Sequence, residues 1–118
     1  VLEAVAGTSS SAADQWLIAI ARNGNEEVRY RRAALSRLRR SDVPIDELGK
    51  LYDGLDEREL RAAVVEILGA RDEPAATDKL IEIVKSGTDP NIRRLAIKVL
   101  GRKQDPRTTR LLLELVER

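Results

Sequence analysis

Aliphatic residues recur along this chain at a near-constant period, and that period decides what it can fold into. Leu17, Leu48, Leu80 and Leu112 follow one another at steps of 31, 32 and 32 residues. Ile20, Leu51, Ile83 and Leu115 keep the same steps, as do Ala21, Tyr52, Val84 and Val116. Each copy thus carries an apolar stripe at i, i+3 and i+4, the face of one helix. A second set lies behind it: Tyr30, Leu60 and Ile92; Ala34, Val64 and Ala96; Leu38, Leu68 and Leu100, at steps of 30 and 32. The pattern predicts a helical hairpin per copy. One hairpin cannot bury its apolar face alone, whereas stacked copies share a continuous core in which each contacts mainly its neighbours.

The spacing predicts helices over about 12–22, 27–40, 45–53, 57–70, 75–86, 90–103 and 107–117, and no strand. The punctuation repeats as well. GARDEP at 69–74 and GRKQDP at 101–106 place Gly at a helix end and Pro five residues later, where the next helix begins. VLEAVAG at 1–7 reads as the last turns of a preceding helix stopped at Gly7, and the three serines at 9–11 as a linker and cap. The expectation is an all-α α-solenoid of about three and a half hairpins in a single domain. Its repeats fall at about 12–42, 43–73 and 74–106, with a half repeat at 107–118.

Composition narrows the function. The chain has no His and no Cys, which removes most metal sites, the usual general base and thiolate nucleophiles. Phe is absent and Trp16, Tyr30 and Tyr52 are the only aromatics, so the core must be aliphatic, with both tyrosines assigned to structure. Acid–base work would fall to Asp53, Asp56, Glu57 and Glu59, which crowd a short turn with no apolar pocket to raise a pKa. No phosphate-cradling or calcium-binding loop is present. No catalytic, cofactor-binding or metal-ligating residue is assigned, and no enzyme is expected. The longest wholly apolar run, residues 16–21, falls far short of the ~20 needed to cross a bilayer. A soluble chain with no membrane insertion is expected. Lack of Cys leaves the compartment open, with the cytoplasm the first expectation.

The stretch DPNIRRLAIKVLGRKQDP at 89–106 resembles the bacterial HEAT-like repeat, with D-P-x-[IV]-R opening the second helix and L-G-x-x-x-D-P closing it. DERELRAAVVEILGARDEP at 56–74 is a weaker copy. NEEVRYRRAALSRLRRSD at 25–42 departs from the pattern: it lacks the terminal Gly, and Arg37 stands where Ile67 and Val99 stand. The resemblance covers residues 12–118. It implies a right-handed α-solenoid of HEAT-like hairpins, and a scaffold that binds partners rather than an enzyme. Glu27 and Arg31, Glu57 and Arg61, and Asp89 and Arg93 place an acid at the start of each second helix and an Arg one turn later, an i, i+4 pair. In the family such pairs stack from repeat to repeat, which implies a structural ladder.

The outward stripe of the second helices is the candidate binding surface. Arg94, Lys98 and Arg102 recur as Arg32, Ser36 and Arg40 in the first copy and as Ala62, Glu66 and Ala70 in the second, and should line the concave face. Net charge is only +1, from 21 basic and 20 acidic residues, so the distribution alone can matter. Residues 22–40 carry 7 basic and 2 acidic groups, 41–60 carry 2 and 7, and 86–118 carry 8 and 4. An interrupted basic surface suits an acidic protein segment at least as well as a phosphate backbone. Trp16 aligns with Glu47, Lys79 and Leu111. Either it packs against a preceding repeat and VLEAVAG, or it is an exposed anchor for a ligand. Candidate partner-binding residues are therefore Arg32, Arg40, Glu66, Arg94, Lys98, Arg102 and Trp16. The expected function is a protein-interaction scaffold. The alternatives are a nucleic-acid-binding module using the same Arg and Lys, and a spacer between domains. Leu111, Leu112, Leu113, Leu115 and Val116 give the last helix more apolar surface than one layer covers, so another repeat or a second copy is expected against it.

Overall fold

The computed structural model describes residues 2–103 and 106–117, with side chains at 12–103, 106–111, 113 and 114. The described residues form seven helices: α1 (Leu2–Arg22), α2 (Val28–Leu38), α3 (Ile45–Gly54), α4 (Arg58–Ala70), α5 (Pro74–Ser86), α6 (Pro90–Lys103) and α7 (Pro106–Glu117). Prolines set most of the starts. Pro74, Pro90 and Pro106 open α5, α6 and α7, and Pro44 immediately precedes α3. A first-turn proline forfeits no hydrogen bond, because that N–H has no intrahelical acceptor. The residues before α2, α4 and α5 are Glu27, Glu57 and Glu73, in extended backbone and without side-chain capping bonds.

The helices stack in two layers. α1 packs on α2 and α5 on α6, while α4 touches α2, α3, α5 and α6. The second helices α2, α4 and α6 therefore make one layer, α1, α3 and α5 the other, and α7 packs on α6 as the start of a further half hairpin. The stack measures 56 × 30 × 17 Å. This is the elongated α-solenoid that the column spacing predicts.

One apolar cluster runs the length of the stack, from Ile18 to Leu111. Leu35, Leu38, Leu48, Leu51, Leu55, Leu60, Leu68, Leu80 and Leu100 are fully buried within it, each stabilising the fold by roughly 1.5–3 kcal/mol. The columns hold best in the middle. Leu60 and Ile92 are buried, but Tyr30, assigned to the same column, is 49% exposed, because α2 has one neighbour in its layer where α4 has two. In α1, Ile18 and Ala21 are buried, whereas Leu17 and Ile20 are only half-buried. Leu112, Leu115 and Val116 lie outside the described side chains. Leu111 is buried and Leu113 exposed.

Two local expectations are corrected. α1 does not stop at Gly7: it runs from Leu2 through the serines at 9–11 to Arg22. A single helical Gly costs about 1 kcal/mol against Ala, a cost that Leu2, Ala4, Ala6, Ala12 and Ala13 in the same helix help to offset. Residues 2–7 thus belong to the same helix that bears Trp16. α2 ends at Leu38, not at 40. The Ser41 hydroxyl donates to the Leu38 carbonyl at 2.7 Å and the Ser41 N–H donates to the same oxygen at 3.0 Å, turning the chain. Gly69 and Gly101 stand in the last turns of α4 and α6, at the helix ends where the punctuation places them. The role of Gly69 is close approach, since a Cβ there would overlap Val99 of the next hairpin.

The acid–Arg pairs also differ from expectation. Glu27, Glu57 and Asp89 do not pair with the Arg one turn on. Instead, each Arg reaches back to the end of its hairpin's first helix. Arg31 Nε donates to the Ala21 carbonyl at 2.9 Å, Arg61 Nε to Leu55 at 2.6 Å and Arg93 Nε to Val84 at 2.9 Å. A cation there satisfies an orphan carbonyl and complements the negative end of the helix dipole. Two of the acids serve the preceding hairpin: Glu57 accepts from Arg31 Nη1 at 2.8 Å, and Asp89 accepts from Arg58 Nε at 2.6 Å, while Glu27 pairs with Arg29 at the start of its own helix at 2.8 Å. The ladder exists, but its rungs run between hairpins.

Candidate interaction surface

The outward side of the α2–α4–α6 layer carries the predicted stripe in three unlike segments. On α6, Arg94 and Lys98 are both exposed, one turn apart, and neither has an acidic partner among the described residues. Arg102, a turn further on, points back toward α4, where its Nη1 lies 3.9 Å from the Glu66 carboxylate. On α2, Arg32 is likewise drawn toward α4: its Nη1 donates to Glu59 Oε1 at 3.1 Å. Ala62 and Ala70 complete the face of α4. The central helix thus holds one Arg from each flank with a carboxylate and leaves Arg94 and Lys98 free.

Two predicted residues fall outside this stripe. Arg40 is exposed in the turn after α2 and groups with Arg37 and Arg39 instead. Trp16 is 66% exposed on α1, in the other layer, so it does not join the arginines. Glu59, Arg37 and Arg39 belong to the surface but were missed by stripe counting. Glu59 is one residue off the repeated positions, and the Arg-Leu-Arg-Arg run at 37–40 was read as helix rather than as helix end.

A second concavity lies between the α3 and α5 hairpins, a cavity of about 180 Å³ bordered by Tyr52, Arg61, Lys79, Glu82 and Asp89. Its charges satisfy one another. Lys79 Nζ bonds Asp53 at 2.9 Å and Glu82 at 2.8 Å, while Arg61 and Lys79 both lie over the Tyr52 ring. Burial alone would lower the Lys79 pKa, but the hydrogen bonds to Glu82 and Asp53 outweigh it and hold it above the ordinary lysine value. Burial raises the Tyr52 phenol above its usual value against the pull of Arg61 and Lys79. This is a seam between repeats. Among the described residues no group of three His, Cys, Asp or Glu could hold a metal ion, and no helix is long and apolar enough to cross a membrane.

The family model for HEAT repeats matches residues 45–118, that is α3 to α7. The first hairpin, whose sequence departs from the repeat pattern, lies outside the match. No curated protein and no solved structure matches the chain.

Proposed function

Because the chain belongs to the HEAT repeat family, whose repeats commonly mediate protein–protein interaction as generally non-catalytic scaffolds, we propose that it is a binding module. The outward face of α2, α4 and α6 receives an acidic segment of a protein partner, and no catalysis is involved. One observation carries the reading: Arg94 and Lys98 stand exposed and unpaired on α6, while the nearest cations toward α4 are already held by Glu59 and Glu66. Arg94 gives a planar fork for a carboxylate and Lys98 a compact charge beside it. Trp16, exposed on the other layer, is a separate anchor point.

Glu59 and Glu66 favour protein over nucleic acid. A phosphate backbone gains from each cation along a continuous track, and two carboxylates in mid-face oppose it. The test is capture from a lysate of the source organism after nuclease treatment, with the parent chain beside Arg94→Glu/Lys98→Glu. The expected result is a protein set that survives nuclease and is lost on charge reversal. A set unchanged by the reversal overturns the reading in favour of a spacer.

A further inference from the structure

Where α2 ends at Leu38, the chain turns through Arg39 and Arg40 before the Ser41 hydroxyl closes on the Leu38 carbonyl. Arg37, Arg39 and Arg40 are exposed, and with Ser36 and Ala70 they border an open cleft of about 620 Å³ between the ends of α2 and α4. No acidic residue lines it. Among the described residues none of the three guanidinium groups has an ion-pair or hydrogen-bond partner, although Arg32 on the same helix is held by Glu59. Three unneutralised cations at one cleft raise the local positive potential, which water and salt screen in part and which an entering anion neutralises.

We propose that this cleft binds a phosphate dianion carried on a protein segment, that is, a phosphorylated side chain. The stoichiometry of donors selects the anion. One guanidinium fork satisfies one carboxylate, whereas a phosphate monoester presents three terminal oxygens and close to two negative charges, enough for several forks at once. The Ser36 hydroxyl adds a donor at the same mouth. The cleft is roomier than a phosphate group, so the residues beside the modified side chain enter with it. A protein segment is favoured over nucleic acid because α4, which separates the cleft from Arg94 and Lys98 on α6, carries the Glu66 carboxylate one turn from the cleft residue Ala70. The inference goes beyond the acidic-segment reading: it uses Arg37, Arg39 and Arg40, and it stands or falls without Arg94 and Lys98.

The experiment follows the arginine side-chain Nε–Hε resonances of the full chain during titration with pyrophosphate, then with a short phosphoserine peptide. Shifts are expected at Arg37, Arg39 and Arg40 and not at Arg94. Arg39→Gln/Arg40→Gln should weaken phosphopeptide binding by at least about tenfold, since two charge-assisted hydrogen-bonding groups are lost. Arg94→Gln/Lys98→Gln should leave it within about twofold, as expected for sites that share no partner. All four positions are exposed, and unchanged circular dichroism will show that both variants fold. Three results would overturn the proposal: shifts spread evenly over all exposed arginines, equal binding of the same peptide with Glu in place of phosphoserine, or tighter binding of a single-stranded oligonucleotide.

Discussion

The helices α2 and α4 occupy equivalent places in one layer and bury equivalent leucines, Leu38 and Leu68, yet their outward sides have opposite character. α2 and its turn expose Arg29, Arg32, Arg37, Arg39 and Arg40. α4 offers Ala62, Glu59, Glu66 and Ala70, and its exposed Arg58 is held by Asp89. The inward positions are fixed by what each helix must pack against, and the outward ones are free to carry function. α4, held between α2 and α6, also supplies the carboxylates that divide the basic surface into separate sites. The same equivalence fails at Arg37, whose counterparts Ile67 and Val99 are buried. Val99 is seated over Gly69 of the neighbouring hairpin.

The comparison breaks most visibly in the core. Leu68→Ala should lower stability by about 2–5 kcal/mol, and by more than Leu38→Ala, because α4 is flanked on both sides within its layer. Urea unfolding of the two variants decides this, and equal losses would mean that α2 is as tightly held as α4. A smaller effect is expected from Arg31→Met. It strands the Ala21 carbonyl and removes the bond to Glu57, for about 1–3 kcal/mol. Arg61→Met should cost less, since Arg61 bonds the Leu55 carbonyl and, among the described residues, has no acidic partner in the neighbouring hairpin.

The inter-hairpin rungs also set a pH dependence. The hydrogen bond from Arg31 lowers the Glu57 pKa, and that from Arg58 lowers the Asp89 pKa. A carboxyl whose folded pKa is depressed contributes stability that is fully present above its unfolded value and is lost as pH falls through the folded one. The thermal midpoint should therefore be flat between about pH 5 and about pH 9 and fall below about pH 4, the ordinary carboxylate range. Glu57→Gln should flatten the acid limb. A midpoint that falls equally in parent and variant would remove Glu57 from the ladder.

Much of the architecture was legible in sequence because stacking forces the columns to repeat: Leu48 and Leu80, Leu51 and Ile83, and Leu60 and Ile92 are all buried. The errors share one physical origin. Columns report contacts with neighbouring layers, so they mislead where a layer has fewer neighbours, as at Tyr30. Gly69 stands at a helix end as the sequence predicts, but the reason a glycine is needed there is the tertiary approach of Val99. The acid and Arg one turn apart suggested an intrahelical pair, and no local rule reveals that the Arg reaches back to a carbonyl while Glu57 and Asp89 serve the preceding hairpin. The candidate surface was legible in its charges and not in their pairing: Glu59, off the repeated stripe, pairs with Arg32.

The division of the basic face by Glu59 and Glu66 is the central claim, and a salt-dependent binding comparison tests it most directly. The parent chain and Glu59→Gln/Glu66→Gln are each titrated with a Glu-rich peptide and with a single-stranded oligonucleotide of equal length. The account predicts that the parent prefers the peptide. It further predicts that the double variant gains oligonucleotide affinity with a steeper salt slope as the basic segments join. A parent chain that already binds the oligonucleotide more tightly than the peptide, with a slope unchanged by the two substitutions, would contradict it.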